Sequence, residues 1–88
     1  MTYSVVFSNK ARKQIKKMDR YTQAMIINWL DKHIEGCENP FLHGKVLNGN
    51  LNNQWRYQIG NYRVLCDIQN HQLIVLVINV GHRREVYE

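Results

Sequence analysis

The stretch Trp55-Arg56-Tyr57-Gln58-Ile59-Gly60-Asn61-Tyr62-Arg63-Val64-Leu65-Cys66 decides how this chain folds. Gly60-Asn61 separates two runs of strand-forming residues, and both tolerate the positive φ that a tight primed turn demands. With that pair as the loop, Ile59 lies opposite Tyr62, Tyr57 opposite Val64 and Trp55 opposite Cys66. This set is apolar and is predicted to face the core. The other face carries Gln58 opposite Arg63 and Arg56 opposite Leu65, so one hairpin gathers two arginines on one side. A slip of one residue would send both into the core.

Downstream, Asn70-His71 reads as a turn, after which residues 73–80 return antiparallel to residues 62–68. On that register Val77 lies opposite Val64 and Ile78 opposite Arg63, and Gly81 ends the strand. His82, Arg83, Arg84 and Tyr87 then emerge beside Gln58 and Arg63. A rim of guanidinium, imidazole and phenol suits a phosphodiester better than any other common ligand.

Upstream, residues 2–7 alternate, with Tyr3, Val5 and Phe7 on one face, and read as a first strand. Ser8 or Asn9 caps a helix over residues 10–18 whose inward side is Ala11, Ile15 and Met18. Its outer side carries Lys10, Arg12, Lys13, Lys16 and Lys17. Asp19-Arg20 is a brief break, and a longer helix over residues 21–35 shows the stripe Met25, Ile26, Trp29, Leu30 and Ile34. Gly36 ends it, and Asn39-Pro40 prevents a restart. Residues 41–53 form a Gly/Asn-rich crossing anchored by Phe41 and Leu47, with Lys45, Val46 and Leu47 able to make a short strand-like contact. Its glycines lack the spacing and the following helix of a phosphate-cradling loop.

The order of these elements predicts an α+β fold: an antiparallel sheet of about four strands, with an N-terminal helical hairpin packed on one face. Residues 1–88 form a single domain. Trp29 and Trp55 are predicted to be buried. The opposite sheet face, with Arg56, Gln58, Arg63 and the apolar Leu65, Leu76 and Ile78, is left open, and such a mixed face calls for a partner.

Composition narrows the partner. Hydrophobic residues at 44% and charged residues at 22% are those of a folded globule. Lys and Arg exceed Asp and Glu by 12 to 7, which favours a polyanion. There is no apolar leader and no run approaching the ~20 apolar residues of a membrane span. Cys37 and Cys66 have no CxxC spacing and read as free thiols in a reducing cytosol. His33, His43 and His71 lack metal-ligand spacing, so no metal is assigned.

The chain resembles the RelE/ParE superfamily of toxins from bacterial and archaeal type II toxin–antitoxin pairs. The resemblance runs over nearly the whole chain: the opening strand, the basic helix, Lys45-Val46-Leu47-Asn48-Gly49, Trp55-Arg56-Tyr57-Gln58-Ile59, Gly60-Asn61-Tyr62-Arg63, and Val80-Gly81-His82-Arg83-Arg84-Glu85-Val86-Tyr87. The G-x-Y-R turn occurs across the superfamily, whereas the G-H-R-x-E-V-Y ending is closer to the RelE-like branch. That branch implies a cytoplasmic, metal- and cofactor-free endoribonuclease that cleaves messenger RNA in the ribosomal A site. Its chemistry is attack of a ribose 2′-OH on the adjacent phosphate.

By that resemblance, Arg63 holds the scissile phosphate. Arg83 stabilises the transition state or protonates the leaving oxygen, and Tyr87 is the base for the 2′-OH. A phenol with an ordinary pKa of about 10 needs nearby cations to act so, and the arginines would supply them. Arg56 and Gln58 stand where the best-studied members carry two lysines, and Gln58 gives up the charge. His82 is the alternative acid or base, since imidazole titrates near neutral pH unaided. Gln58, Arg84, Lys10, Lys13, Lys16, Lys17 and Lys45 would grip RNA backbone. The implied partners are a cognate antitoxin, the ribosome with its RNA, and messenger RNA. Two alternatives stay open: a DNA gyrase inhibitor of the ParE branch without nuclease chemistry, and a non-catalytic RNA- or protein-binding module.

Overall fold

The computed structural model describes residues 1–46 and 54–82. Strand β1 (Ser4–Phe7) leads into helix α1 (Asn9–Lys16) and helix α2 (Arg20–His33). A 3-10 turn (Pro40–Leu42) and a two-residue strand β2 (Lys45–Val46) follow, then β3 (Gln54–Ile59), β4 (Tyr62–Gln69) and β5 (Ile74–His82). The sheet has five strands in the order β1-β5-β4-β3-β2, one more than the sequence suggested, because Lys45–Val46 does pair with β3.

Both helices begin where a short polar side chain can take up unpaired amide groups. The Ser8 hydroxyl accepts from the Ala11 amide at 3.0 Å, and the Asp19 carboxylate accepts from the Tyr21 and Thr22 amides at 3.1 and 3.3 Å. These bonds and the Thr22 hydroxyl hold the exposed Asp19 carboxyl below its ordinary range. Gly36 ends the α2 segment in a left-handed conformation at φ 79°, as its position after the apolar stripe implied. The Gly36 amide donates to the Tyr3 carbonyl and the Tyr3 amide to the Cys37 carbonyl, so the exit from α2 is sewn to the start of β1.

One face of the sheet takes the helices. Tyr57, Val64, Cys66, Ile68, Val75 and Val77 are fully buried against Ala11, Ile26, Leu30 and Ile34. Trp29 and Trp55 are half-buried at the margin of this core, against the expectation of burial. Both rings reach residue 43 at the edge of β3, Trp29 by a ring contact of 5.6 Å with His43 and Trp55 by its indole N–H to the His43 carbonyl. The opposite sheet face alternates as expected, with Arg56, Arg63, Leu65, Leu76 and Ile78 half-exposed and Gln58 exposed.

The β3–β4 hairpin has the register read from its turn: Ile59 opposite Tyr62, Tyr57 opposite Val64, Gln58 opposite Arg63 and Arg56 opposite Leu65. The β4–β5 register does not follow the expectation. Val64 faces Val80 rather than Val77, and Arg63 faces Gly81 rather than Ile78. Two of those three positions come from the turn, since Gln69 pairs with Ile74 around residues 70–73, with Leu73 at φ 57°. The third comes from a bulge between Leu65 and Cys66, where Ile78 is the extra residue. The bulge reverses the alternation and puts Val80, not the polar Asn79, on the buried side. Gly81 therefore does not stop the strand, which continues through His82. Strand β1 lies parallel to β5, from Ser4 opposite Ile74 to Phe7 opposite Val77.

Burial pushes the Cys66 thiol and the Tyr57 phenol well above their ordinary values of 9.0 and 10.0. Each stays protonated in the folded chain at a pH where the unfolded chain ionises. Stability is therefore complete below pH 9.0 and falls as the pH rises above it. For Cys66 the loss is about 1.4 kcal/mol per pH unit. Urea midpoints measured from neutral pH upward should show that fall, and Cys66→Ala should make it shallower between pH 9.0 and 10.0, where Cys37, also raised by burial, is the cysteine that remains. A slope unchanged by that substitution would count against the account.

Candidate functional site

The two rows of cross-strand pairs nearest the hairpin turn organise the open face. One row runs Lys45, Arg56, Leu65 and the other Gln58, Arg63, Gly81. Arg56 and Arg63 are diagonal neighbours, with backbones roughly 7–8 Å apart, so their guanidiniums share one patch. The Nε and Nη1 atoms of Arg63 are shielded from solvent. A cation held in such a half-buried position attracts a phosphate more strongly than one in open water. Arg63 lies on the central strand between Gln58 and Gly81, and Gly81 brings no side chain to the row. The sequence had placed Ile78 there; the longer turn and the bulge remove that apolar neighbour.

His82 faces Tyr62 across β4–β5, and the two rings meet edge to face at 5.5 Å between centroids. The end of β5 that carries His82 is fixed from the helix side by Gln14, which the sequence reading did not single out. Beyond Val77, β5 has outrun β1, so the Val80 amide needs another acceptor. Gln14 Oε1 accepts it at 2.6 Å, while Gln14 Nε2 donates to Asn79 Oδ1 at 2.7 Å. A cavity of about 520 Å³ opens there, with Lys17, Asp19, Tyr62 and His82 in its wall. Arg83, Arg84 and Tyr87 lie outside the described residues, as does Leu47.

The expected basic side of α1 is present. Lys10, Lys13, Lys16 and Lys17 are all exposed, while Ala11 faces the core. Of this group Lys17 approaches the His82 cavity; Lys45 stands apart, at the other edge of the sheet.

A second cavity, about 340 Å³, lies at the outer edge of β3, between Trp29 and His43 on one side and Lys45, Arg56 and Gln58 on the other. Trp29, His33 and His43 form a ring cluster with centroid distances of 4.7, 5.6 and 5.0 Å. The sequence reading treated Trp29 as core and the histidines as scattered. The i, i+4 spacing of Trp29 and His33 was visible, but nothing local could bring His43 to them. Gly44 makes the approach possible. It sits at φ 80°, and a Cβ there would collide with the Arg56 carbonyl oxygen and would come within 2.7 Å of Trp55 Nε1 and 2.8 Å of the Tyr57 ring. Gly44→Ala should cost about 1–3 kcal/mol for the backbone strain alone, read as a lower urea midpoint. An unchanged midpoint would mean the segment can move away freely.

Among the described residues no three His, Cys, Asp or Glu side chains are grouped to hold a metal ion, and no helix is long and apolar enough to cross a membrane. Cys37 and Cys66 are free thiols.

A family model described as the ParE toxin of the type II toxin–antitoxin system parDE matches residues 5–87. Toxin RelG of Mycobacterium tuberculosis is 26% identical over 87 residues, which cover 99% of this chain and 98% of that protein. Among solved structures, a RelBE toxin–antitoxin complex from Mycobacterium tuberculosis superposes with a TM-score of 0.79 at 25% identity, covering 94% of this chain and 93% of its counterpart. An Escherichia coli RelE double mutant in the free state gives a TM-score of 0.79 at 23% identity over 99% of this chain and 92% of that one, a likeness of fold.

Proposed function

The chain belongs to the ParE toxin family of type II toxin–antitoxin systems, and from that premise we propose that it is a ribosome-dependent endoribonuclease of the RelE-like kind. The observation that carries the reading is the row Gln58, Arg63, Gly81. It seats a half-buried guanidinium on the central strand, next to Arg56 and beside the strand end that leads into Arg83, Arg84 and Tyr87. A messenger RNA phosphate would be held by Arg63, with Arg56 assisting. The ribose 2′-oxygen attacks phosphorus as its proton passes to Tyr87 or His82. The bond from phosphorus to the 5′-oxygen breaks, and that oxygen takes a proton from solvent water on leaving, with Arg83 stabilising the charge that develops. The products are a 2′,3′-cyclic phosphate and a free 5′-hydroxyl, and the step as proposed uses no metal or cofactor. Gln58, Arg84, Lys45 and the lysines of α1 grip RNA backbone.

The Mycobacterium tuberculosis relative solved as a toxin–antitoxin complex supports a cognate antitoxin as partner, and a toxin of this kind would act in the cytoplasm of a bacterium or archaeon. The open face also carries the cross-strand pair Val6 and Leu76, with Leu65 on the next strand, an apolar patch that such a partner would cover.

We expect so small a domain to leave substrate orientation to the ribosome. Toeprinting should show cuts within the A-site codon of programmed ribosomes and little cleavage of the same RNA alone. Equal cleavage of both would refute the ribosome requirement. The family match supports one second reading, a ParE-type toxin directed at DNA gyrase. Inhibition of supercoiling by purified protein, with no ribosomal cleavage, would establish that reading instead.

A further inference from the structure

We propose that the cavity at the outer edge of β3 is a nucleobase subsite. It would take one base of single-stranded RNA against Trp29 and His43, with the flanking phosphates on Lys45 and Arg56. The inference rests on the RNA-directed reading above and adds a binding locus that is separate from the His82 rim.

Four observations converge on it. First, the walls are of the right kinds: an indole and an imidazole on one side, two cations and an amide on the other. Bases stack on aromatic faces whatever their identity, while cations track the backbone. Second, Lys45 and Arg56 are directly opposed across β2–β3. That register sets both cations at one position along the edge, where the backbone of an RNA strand can meet them together. Third, the corner is built rather than incidental. Gly44 lies against β3 where no side chain fits, and the Trp55 indole N–H donates to the His43 carbonyl at 2.6 Å, which fixes the segment that carries His43 and Lys45. Fourth, β2 is so short that, among the described residues, β3 has no strand neighbour on this side beyond Arg56. The cavity therefore opens along the edge, and a strand of RNA can enter from it. A volume of about 340 Å³ suits a single small ligand and not a folded one. Gln58 lines the cavity and belongs also to the row that holds Arg63, so a base seated here would direct the next phosphate along the strand toward Arg63. The amide of Gln58 offers both a donor and an acceptor to a base edge, which a lysine cannot.

The test uses the full ¹⁵N-labelled chain and a 2′-O-methyl trinucleotide, which carries bases and phosphates but no attacking hydroxyl. An abasic trinucleotide with the same phosphates is the control. The Trp29 indole N–H and the amides of Gly44, Lys45 and Gln58 should shift saturably, and the abasic control should bind about tenfold more weakly, the scale of one lost stacking contact. His43→Ala should erase most of that difference, whereas Lys45→Ala should weaken both ligands alike. The dispersion of the same spectra shows that each variant is folded, and His43→Gln serves if the alanine variant is not. Equal binding of the two trinucleotides would overturn the subsite, as would shifts confined to the His82 end. An acidic peptide that moves these resonances as strongly would overturn it in favour of a protein ligand. The ribosome assay keeps the two ideas apart: cleavage together with equal binding of the two trinucleotides sinks the subsite alone, and base-dependent trinucleotide binding without cleavage sinks the nuclease alone.

Discussion

Tyr57→Ala is expected to leave this chain unfolded or nearly so. Tyr57 is fully buried and is the largest such side chain in the described core. Its ring packs at 5.4 Å from that of Trp29, and its hydroxyl donates to the Pro40 carbonyl at 2.7 Å. Removing a buried aromatic ring costs about 3–5 kcal/mol. At the usual stability per residue, a chain of this length has only roughly 4–13 kcal/mol in total. The loss also reaches further than the cavity it leaves. Pro40 is itself buried, and the Tyr57 hydroxyl ties the turn at Pro40–Leu42 to the sheet together with the Phe41 ring, which meets Trp55 at 4.9 Å. Tyr57→Phe separates the two effects, because it keeps the ring and orphans the carbonyl, at about 1–3 kcal/mol. Urea titrations followed by circular dichroism would measure both. A Tyr57→Ala protein with a wild-type midpoint would mean that the core is not organised around β3.

The same residue shows what the sequence could and could not say. That Tyr57 points inward was legible, because Gly60-Asn61 fixes the hairpin register and a period of two then sorts every side chain on both strands. The helix starts were legible for an equally local reason, the placement of Ser8 and Asp19 before apolar stripes. What failed was set by groups distant in sequence. Asn70-His71 looked like a two-residue turn, but the chain needs residues 70–73 to turn there, and the bulge at Leu65/Cys66 then exchanges Val80 for Asn79 on the buried side. Neither event has a local signature. The parallel pairing of β1 with β5 and the Gln14 clamp on Val80 are likewise products of tertiary contact. For the candidate site, the patch of Arg56, Gln58 and Arg63 followed from the hairpin alone. The ring cluster of Trp29, His33 and His43 did not, since it depends on where Gly44 lets the chain pass. The residues after His82 lie outside the described residues, and their roles stand on the resemblance.

The catalytic proposal is sharpest in its effect on rate. Arg63→Ala, Arg83→Ala and Tyr87→Phe should each slow single-turnover cleavage on programmed ribosomes by about 10²-fold or more, the usual scale for a positioned donor or acid/base. A guanidinium aimed at charge that develops on the phosphoryl oxygens acts mainly in the transition state, so the rate should fall further than the affinity. Ribosome binding should hardly change, because the exposed Lys10, Lys13, Lys16 and Lys17 remain to attract RNA backbone. Arg63→Ala leaves the hairpin register intact, since the residue faces the open side and its neighbours Val64 and Tyr62 still pack on the core. Arg63→Lys keeps the charge and loses the two-pronged geometry, so it should recover only part of the rate lost in Arg63→Ala. Tyr87→Phe removes one hydroxyl and nothing else, so it decides the identity of the base. A slow Tyr87→Phe enzyme with normal ribosome binding supports the phenol. A normal rate would exclude it and pass the role to His82, whose ring is held edge-on by Tyr62 at the end of β5.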